Sequence, residues 1–156
     1  MSLPEKLLAE QKIDFPEYRL KQQGVVPYKI VDDLLFISNT PPIGEDGTKI
    51  YFGRIGVEYT AQEGYEAARH AGMYVLKLIK DALGGFERVD YLLKSMILIS
   101  APVGYDQLNE VADGFSDLMT EVFGERGMHT RYVTGASTLN DNVPLICDLI
   151  VKVKDR

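Results

Sequence analysis

Between Thr60 and Gly84 the apolar positions return every three or four places, at Ala67, Ala71, Tyr74, Val75, Leu78, Ile79 and Ala82. That spacing lines one side of a long helix. Thr60-Ala-Gln-Glu63 supplies a capping box at its start, and Gly84-Gly85 supplies its stop. The same period recurs from Asp106 to Phe123. There Leu108, Val111, Ala112, Phe115, Leu118, Met119 and Val122 form a second stripe, ended by Gly124. Elsewhere the helical period is absent and short apolar runs take over. Val26–Val31 and Leu34–Ser38 read as two strands joined at Asp32-Asp33. Tyr91–Ser100, Thr130–Ala136 and Val143–Val153 read as three more, the first apolar enough for the middle of a sheet. Pro41-Pro42 stops the second strand, Glu45-Asp46-Gly47 turns the chain, and Lys49–Ile55 is expected to be extended. At the start, Ser2 caps a short helix running to about Gln11, the core of an N-terminal arm over residues 1–20. Two long helices on one face of a mixed sheet make an α+β architecture. With no repeat or linker, residues 1–156 read as one domain.

Charge and composition narrow what such a domain can do. The 17 Lys and Arg against 23 Asp and Glu leave a formal net charge of −6. Nucleic acid is therefore not an expected partner, because displacing its counterions requires clustered cations. Lys152, Lys154 and Arg156 make only a basic tail. Cys147 is the single cysteine, which excludes an internal disulfide, and its alternation with Leu145 and Leu149 reads as a buried thiol. One Cys with His70 and His129 is too few for a thiolate or imidazole metal cage, so no metal is expected. No apolar run reaches the length of a membrane span, and a cytoplasmic protein without membrane contact is expected. Phosphate-cradling glycine loops and a GxSxG elbow are both missing. Two polar side chains attract notice. Arg131 lies in the weakly polar run HTRYVTGAS and needs a carboxylate from the protein, a neighbouring subunit or a ligand. His129, two residues earlier, would share its face and is either a pocket residue or a plain loop-edge residue.

Several segments together resemble the RidA/YjgF family of reactive-intermediate deaminases, also called L-PSP endoribonuclease-like. They are the opening MSLPEKLLAEQ, the strand LLFIS at 34–38, the run DGFSDLMTEVFGERG at 113–127, HTR at 129–131, and the final strand beginning Val143-Pro144. The likeness is to the longer branch with an extra N-terminal helix. It implies a chorismate-mutase-like fold, a homotrimer, and ligand pockets between subunits. It also implies hydrolysis of enamines and imines such as 2-aminoacrylate to a 2-keto acid and ammonia, with no cofactor. The endoribonuclease label is the weaker inheritance, given the acidic charge.

Carried onto this chain, the resemblance gives Arg131 the substrate carboxylate. It places Ser38, Asn39 and Asn109 at the pocket, with the backbone N–H of Val133. Tyr28 is the nearest aromatic to a position that aligns with Val25. The chain also departs from the family pattern. Ser38-Asn39-Thr40 replaces SGQ, and Leu139-Asn140 replaces a Leu-Pro turn. Ile146 stands where deaminating members carry the glutamate that handles water, and an isoleucine moves no proton. Asp148 and His129 are the remaining candidates for that work. Two functions follow: a deaminase in which one of them assists water, or a binding module that holds a small carboxylate such as a 2-keto acid.

Overall fold

The computed structural model describes residues 24–44 and 46–155, with Glu5, Lys6 and Ala9 ahead of them in helical conformation. Most of the arm expected over 1–20, Glu45 of the expected turn, and Arg156 lie outside the described residues. Strands β1 (Tyr28–Val31) and β2 (Leu34–Thr40) are followed by helix α1 (Ala61–Leu83) and strand β3 (Val89–Ser100). Helix α2 (Leu108–Phe123), β4 (Thr130–Ala136) and β5 (Leu145–Val153) complete the order. The sheet runs β1-β2-β5-β3-β4, with β3 and β4 parallel and the other neighbours antiparallel. This is the α+β arrangement that the hydrophobic periods predict.

Both helices cover the same side of the sheet. Leu35 and Ile37 of β2, Ile97 and Ile99 of β3, and Leu145, Cys147, Leu149 and Val151 of β5 all bury their side chains under them. The α1 stripe is buried from Ala67 to Ile79, with Ala82 partly so, and the α2 stripe from Val111 to Val122. The capping box forms: Glu63 N donates to Thr60 Oγ1 at 3.2 Å, and Thr60 N to Glu63 Oε2 at 2.8 Å. The helices approach closely where Gly114 of α2 lies on the carbonyl of Tyr65, with no room for a Cβ.

Several boundaries differ from expectation: β1 starts at Tyr28 rather than Val26, β2 runs on to Thr40, and β3 starts at Val89. Lys49–Ile55 joins no strand of the sheet. It makes isolated bridges, Ile43 with Lys49 and Ile55 with Tyr59, and crosses the sheet end by Gly53 N to Asn142 O and Ile55 N to Ser100 O, both 2.8 Å. Both sides of β2 are already paired, by β1 and β5, so the segment following it has no adjacent ladder to enter. The last strand begins at Leu145, because Pro144 has no N–H to give; its carbonyl accepts instead from Ser100 N at 2.8 Å.

The other side of the sheet carries no helix among the described residues. Registers place Phe36 beside Ile150, Ile150 beside Lys94, Ile146 beside Leu98, and Tyr132 beside Met96. Phe36, Met96 and Tyr132 are exposed there.

Candidate functional site

Arg131 is the second residue of β4 and pairs with Ser95, a fully buried residue on the helix-covered side. Its guanidinium therefore lies against α2 rather than on the open face. Nη1 donates to Asp113 Oδ1 at 2.8 Å and to Ser116 Oγ at 3.2 Å, and Nη2 donates to Asn109 Oδ1 at 3.1 Å. Asn109, Asp113 and Ser116 are spaced i, i+4, i+7, which stacks them on one side of the helix. The arginine side chain keeps 22% of its surface exposed and the aspartate 47%.

His129 extends the network. Its Nδ1 is 2.7 Å from the carbonyl of Gly127, so this nitrogen carries a proton and donates. Nε2, 3.1 Å from Ser116 Oγ, then accepts from the hydroxyl, which itself accepts from Arg131. Every proton in the run from arginine to imidazole has an acceptor with the ring neutral. Burial holds the His129 pKa below its ordinary value, the Gly127 carbonyl acts against that, and the Arg131 charge adds to it. The edge of Phe115 closes one side, its centroid 5.8 Å from the imidazole.

Three of the guanidinium's five N–H groups are thus engaged. Nε–H and one Nη2–H make no hydrogen bond among the described residues, and neither does Asp113 Oδ2. Such a pair of protons can take a ligand carboxylate.

Asp148 stands on the other side of the sheet. Its Oδ1 accepts from Met96 N at 2.6 Å, while its backbone carbonyl accepts from Ser95 Oγ at 2.8 Å. Burial raises its carboxyl pKa, opposed by the Met96 hydrogen bond and the Lys94 charge. Neighbours on a strand point to opposite faces. Ser95 is turned towards the helices with Arg131, and Met96 away from them with Asp148, so the sheet separates Arg131 from Asp148 within one chain. Ile146, also on the open face, is half-buried beside Leu98.

Ser38 and Asn39 fall where the β2–β5 register shifts, between the pairs Ile37–Leu149 and Thr40–Cys147, and so lie opposite Asp148. Ser38 Oγ is 3.4 Å from Asn39 Oδ1. Tyr28 pairs with Ile37 on β1, the far edge from β4. Val133 pairs with Ile97 on the helix side, two residues past the arginine. The structure thus gathers Arg131, His129, Asn109 and Val133 along β4 and α2. Asp148, Ser38 and Asn39 form a separate group on β5 and β2, and Tyr28 joins neither. Asp113 and Ser116 were not singled out from the sequence. Their helical spacing from Asn109 was the available signal.

Cys147 is buried, and burial drives its thiol pKa well up, which removes it as a nucleophile. Among the described residues no group of His, Cys, Asp and Glu gathers to hold a metal, and no helix is long and apolar enough to cross a membrane.

Residues 5–152 match the model of a family described as "YjgF/chorismate_mutase-like, putative endoribonuclease". Protein TCP17 of Trypanosoma cruzi is 31% identical over 104 residues, which is 66% of this chain; the match spans 65% of that relative's own length. The structure of Atu1372 from Agrobacterium tumefaciens, a protein of unknown function, superposes with a TM-score of 0.88 at 25% identity, covering 97% of this chain and 94% of the other. An endoribonuclease-like protein of Shewanella oneidensis also gives 0.88, at 28% identity, covering 96% and 98%.

Proposed function

Because the chain belongs to the YjgF/chorismate mutase-like family, the class that includes RidA, we propose that it binds small carboxylates at Arg131, in a pocket completed by neighbouring copies in a homotrimer. One observation carries this reading: Arg131 is fixed by Asp113, Ser116 and Asn109 with two N–H groups left over. A fixed planar donor loses little entropy on gripping a carboxylate. What surrounds it suits holding better than hydrolysis. Both His129 nitrogens are engaged, and the ring is neutral. Ile146 stands where a water-handling glutamate is expected, and Asp148 faces away.

Titration calorimetry with pyruvate and 2-oxobutanoate tests the reading. Saturable heats that vanish in Arg131→Ala, with the variant still folded and oligomeric by sedimentation, are expected. Equal binding by that variant overturns the assignment.

A second reading has one observation in its favour. Burial raises the Asp148 carboxyl pKa above its ordinary value, and an Asp148 from a neighbouring copy could serve a pocket this chain's own cannot reach. Hydrolysis of 2-aminoacrylate generated in place decides between them. The binding reading expects keto-acid release no faster than without protein. Acceleration that is lost in Asp148→Asn would establish the deaminase instead.

A further inference from the structure

Asp113 neutralises the one cation that the carboxylate reading depends on. It shares the guanidinium with any ligand through Oδ1, yet Oδ2 has no hydrogen bond among the described residues, and the side chain is half exposed. Helix α2 contains no Lys or Arg to offset Asp113; its Glu121 is paired with Arg69 of α1 and its Asp117 accepts from the Tyr65 hydroxyl, which leaves Glu110 as the further acidic side chain near its start. A plain carboxylate entering here brings a second anion to a pair whose charge is already balanced. It gains its hydrogen bonds to Arg131 while meeting repulsion from Asp113 at close range. A ligand that also carries a cationic nitrogen leaves the site balanced and gives Asp113 Oδ2 a donor.

Geometry further limits that ligand. Asp113 accepts from Nη1, whereas the open protons are on Nε and Nη2. The ligand's two charged groups must therefore sit on different sides of the guanidinium. In an α-amino acid the nitrogen is on the carbon next to the carboxylate and does not reach across. An amino group on the β or γ carbon does.

Resting on the carboxylate reading above, we propose that Asp113 is a specificity-determining residue that selects short β- and γ-amino acids: their carboxylate on Arg131, their ammonium on Asp113 Oδ2. The site is then a zwitterion receptor, and simple monocarboxylates and keto acids are its weaker ligands.

Calorimetry on the full-length oligomer with two matched pairs tests this: β-alanine against propanoate, and 4-aminobutanoate against butanoate. One charge-assisted hydrogen bond is expected to make each amino acid bind about tenfold tighter than its partner. Asp113→Asn keeps an oxygen to accept from Nη1 and removes the charge. In that variant the preference, read as the ratio of affinities within each pair, should fall to about unity. Equal affinities within each wild-type pair, or a preference that persists in Asp113→Asn, overturn the role of Asp113. Arg131→Ala separates the two levels. If it binds all four ligands as wild type does, the carboxylate reading itself is wrong; if it binds none while the wild-type pairs are equal, only the role of Asp113 is. Wild-type protein that binds none of the four overturns both.

Discussion

His129 and Asp148 are both half-buried titratable groups, and burial works against the charged form of each. In His129 the proton on Nδ1 is committed to Gly127 O and the lone pair on Nε2 to the Ser116 hydroxyl. Protonation would reverse the serine hydroxyl and bring a charge beside Arg131. A folded-state pKa below the unfolded value means that stability is lost as pH falls through the ordinary imidazole range towards the depressed folded value. The melting temperature should therefore drop between about pH 7 and 5, and His129→Gln should flatten that drop. Equal slopes in the two proteins would show that another group is responsible. Asp148 works in the other direction. Its folded pKa is raised, so the ionised form costs stability at neutral pH, and the cost disappears as pH falls below the ordinary aspartate range. Asp148→Asn, which can still accept from Met96 N, is expected to melt higher at pH 7 and to converge with wild type near pH 3.5 or below. Neither shift was visible in the sequence, because burial is set by what packs over a residue rather than by its neighbours in the chain.

The helices were legible as elements because their signals are local. A capping box, a 3.6-residue stripe and a left-handed Gly84 fall within one stretch of chain each, and the structure shows all three. What the periodicity did not give was the contact between the helices. Gly64 faces Val111, Gly72 faces Phe115 and Leu118, and Gly114 lies on the backbone of Tyr65, so the two axes approach through small residues. Gly114→Ala weighs two effects against each other. Helix propensity would gain about 1 kcal/mol. Overpacking costs about 1–3 kcal/mol when the obstacle can move, and a carbonyl within α1 cannot move without its helix. A net loss of stability is expected from urea unfolding, with the midpoint lowered; a raised midpoint would mean that the helices separate without penalty. The five sheet strands were legible in place, and less so in their ends. Lys49–Ile55 has the composition of a strand but no ladder to join, and the last strand begins after Pro144.

For the molecule as a whole, the open face of the sheet is an apolar surface that no element among the described residues covers. Phe36, Met96 and Tyr132 are exposed, and Leu98, Ile146 and Ile150 are half-buried. An apolar sheet face of this kind is normally packed against something. The proposed homotrimer would bury it, and sedimentation equilibrium should then return three times the 17.5 kDa chain mass. Ile150→Asp, at the centre of that face, should give a folded monomer with native helical circular dichroism. A wild-type monomer would remove the shared pocket and with it the second reading that depends on a neighbour's Asp148. A trimer unaffected by Ile150→Asp would place its interface elsewhere.

The sequence alone determined the two helices, their buried stripes, the location of the five sheet strands and the exclusion of a disulfide, since each depends on residues within about a turn or a strand of one another or on simple counts. It also brought Arg131 forward, as a guanidinium in an apolar run that needed a partner. The tertiary structure chose that partner. Arg131 meets Asp113 because β4 lies parallel to β3 at a register that turns position 131 towards α2, and a slip of one residue would have turned it to the open face. The same alternation put Asp148 on the opposite side of the sheet. Register is set by long-range pairing across the whole core, and so the assembly of a site from β4 and α2 could not be read from either segment alone.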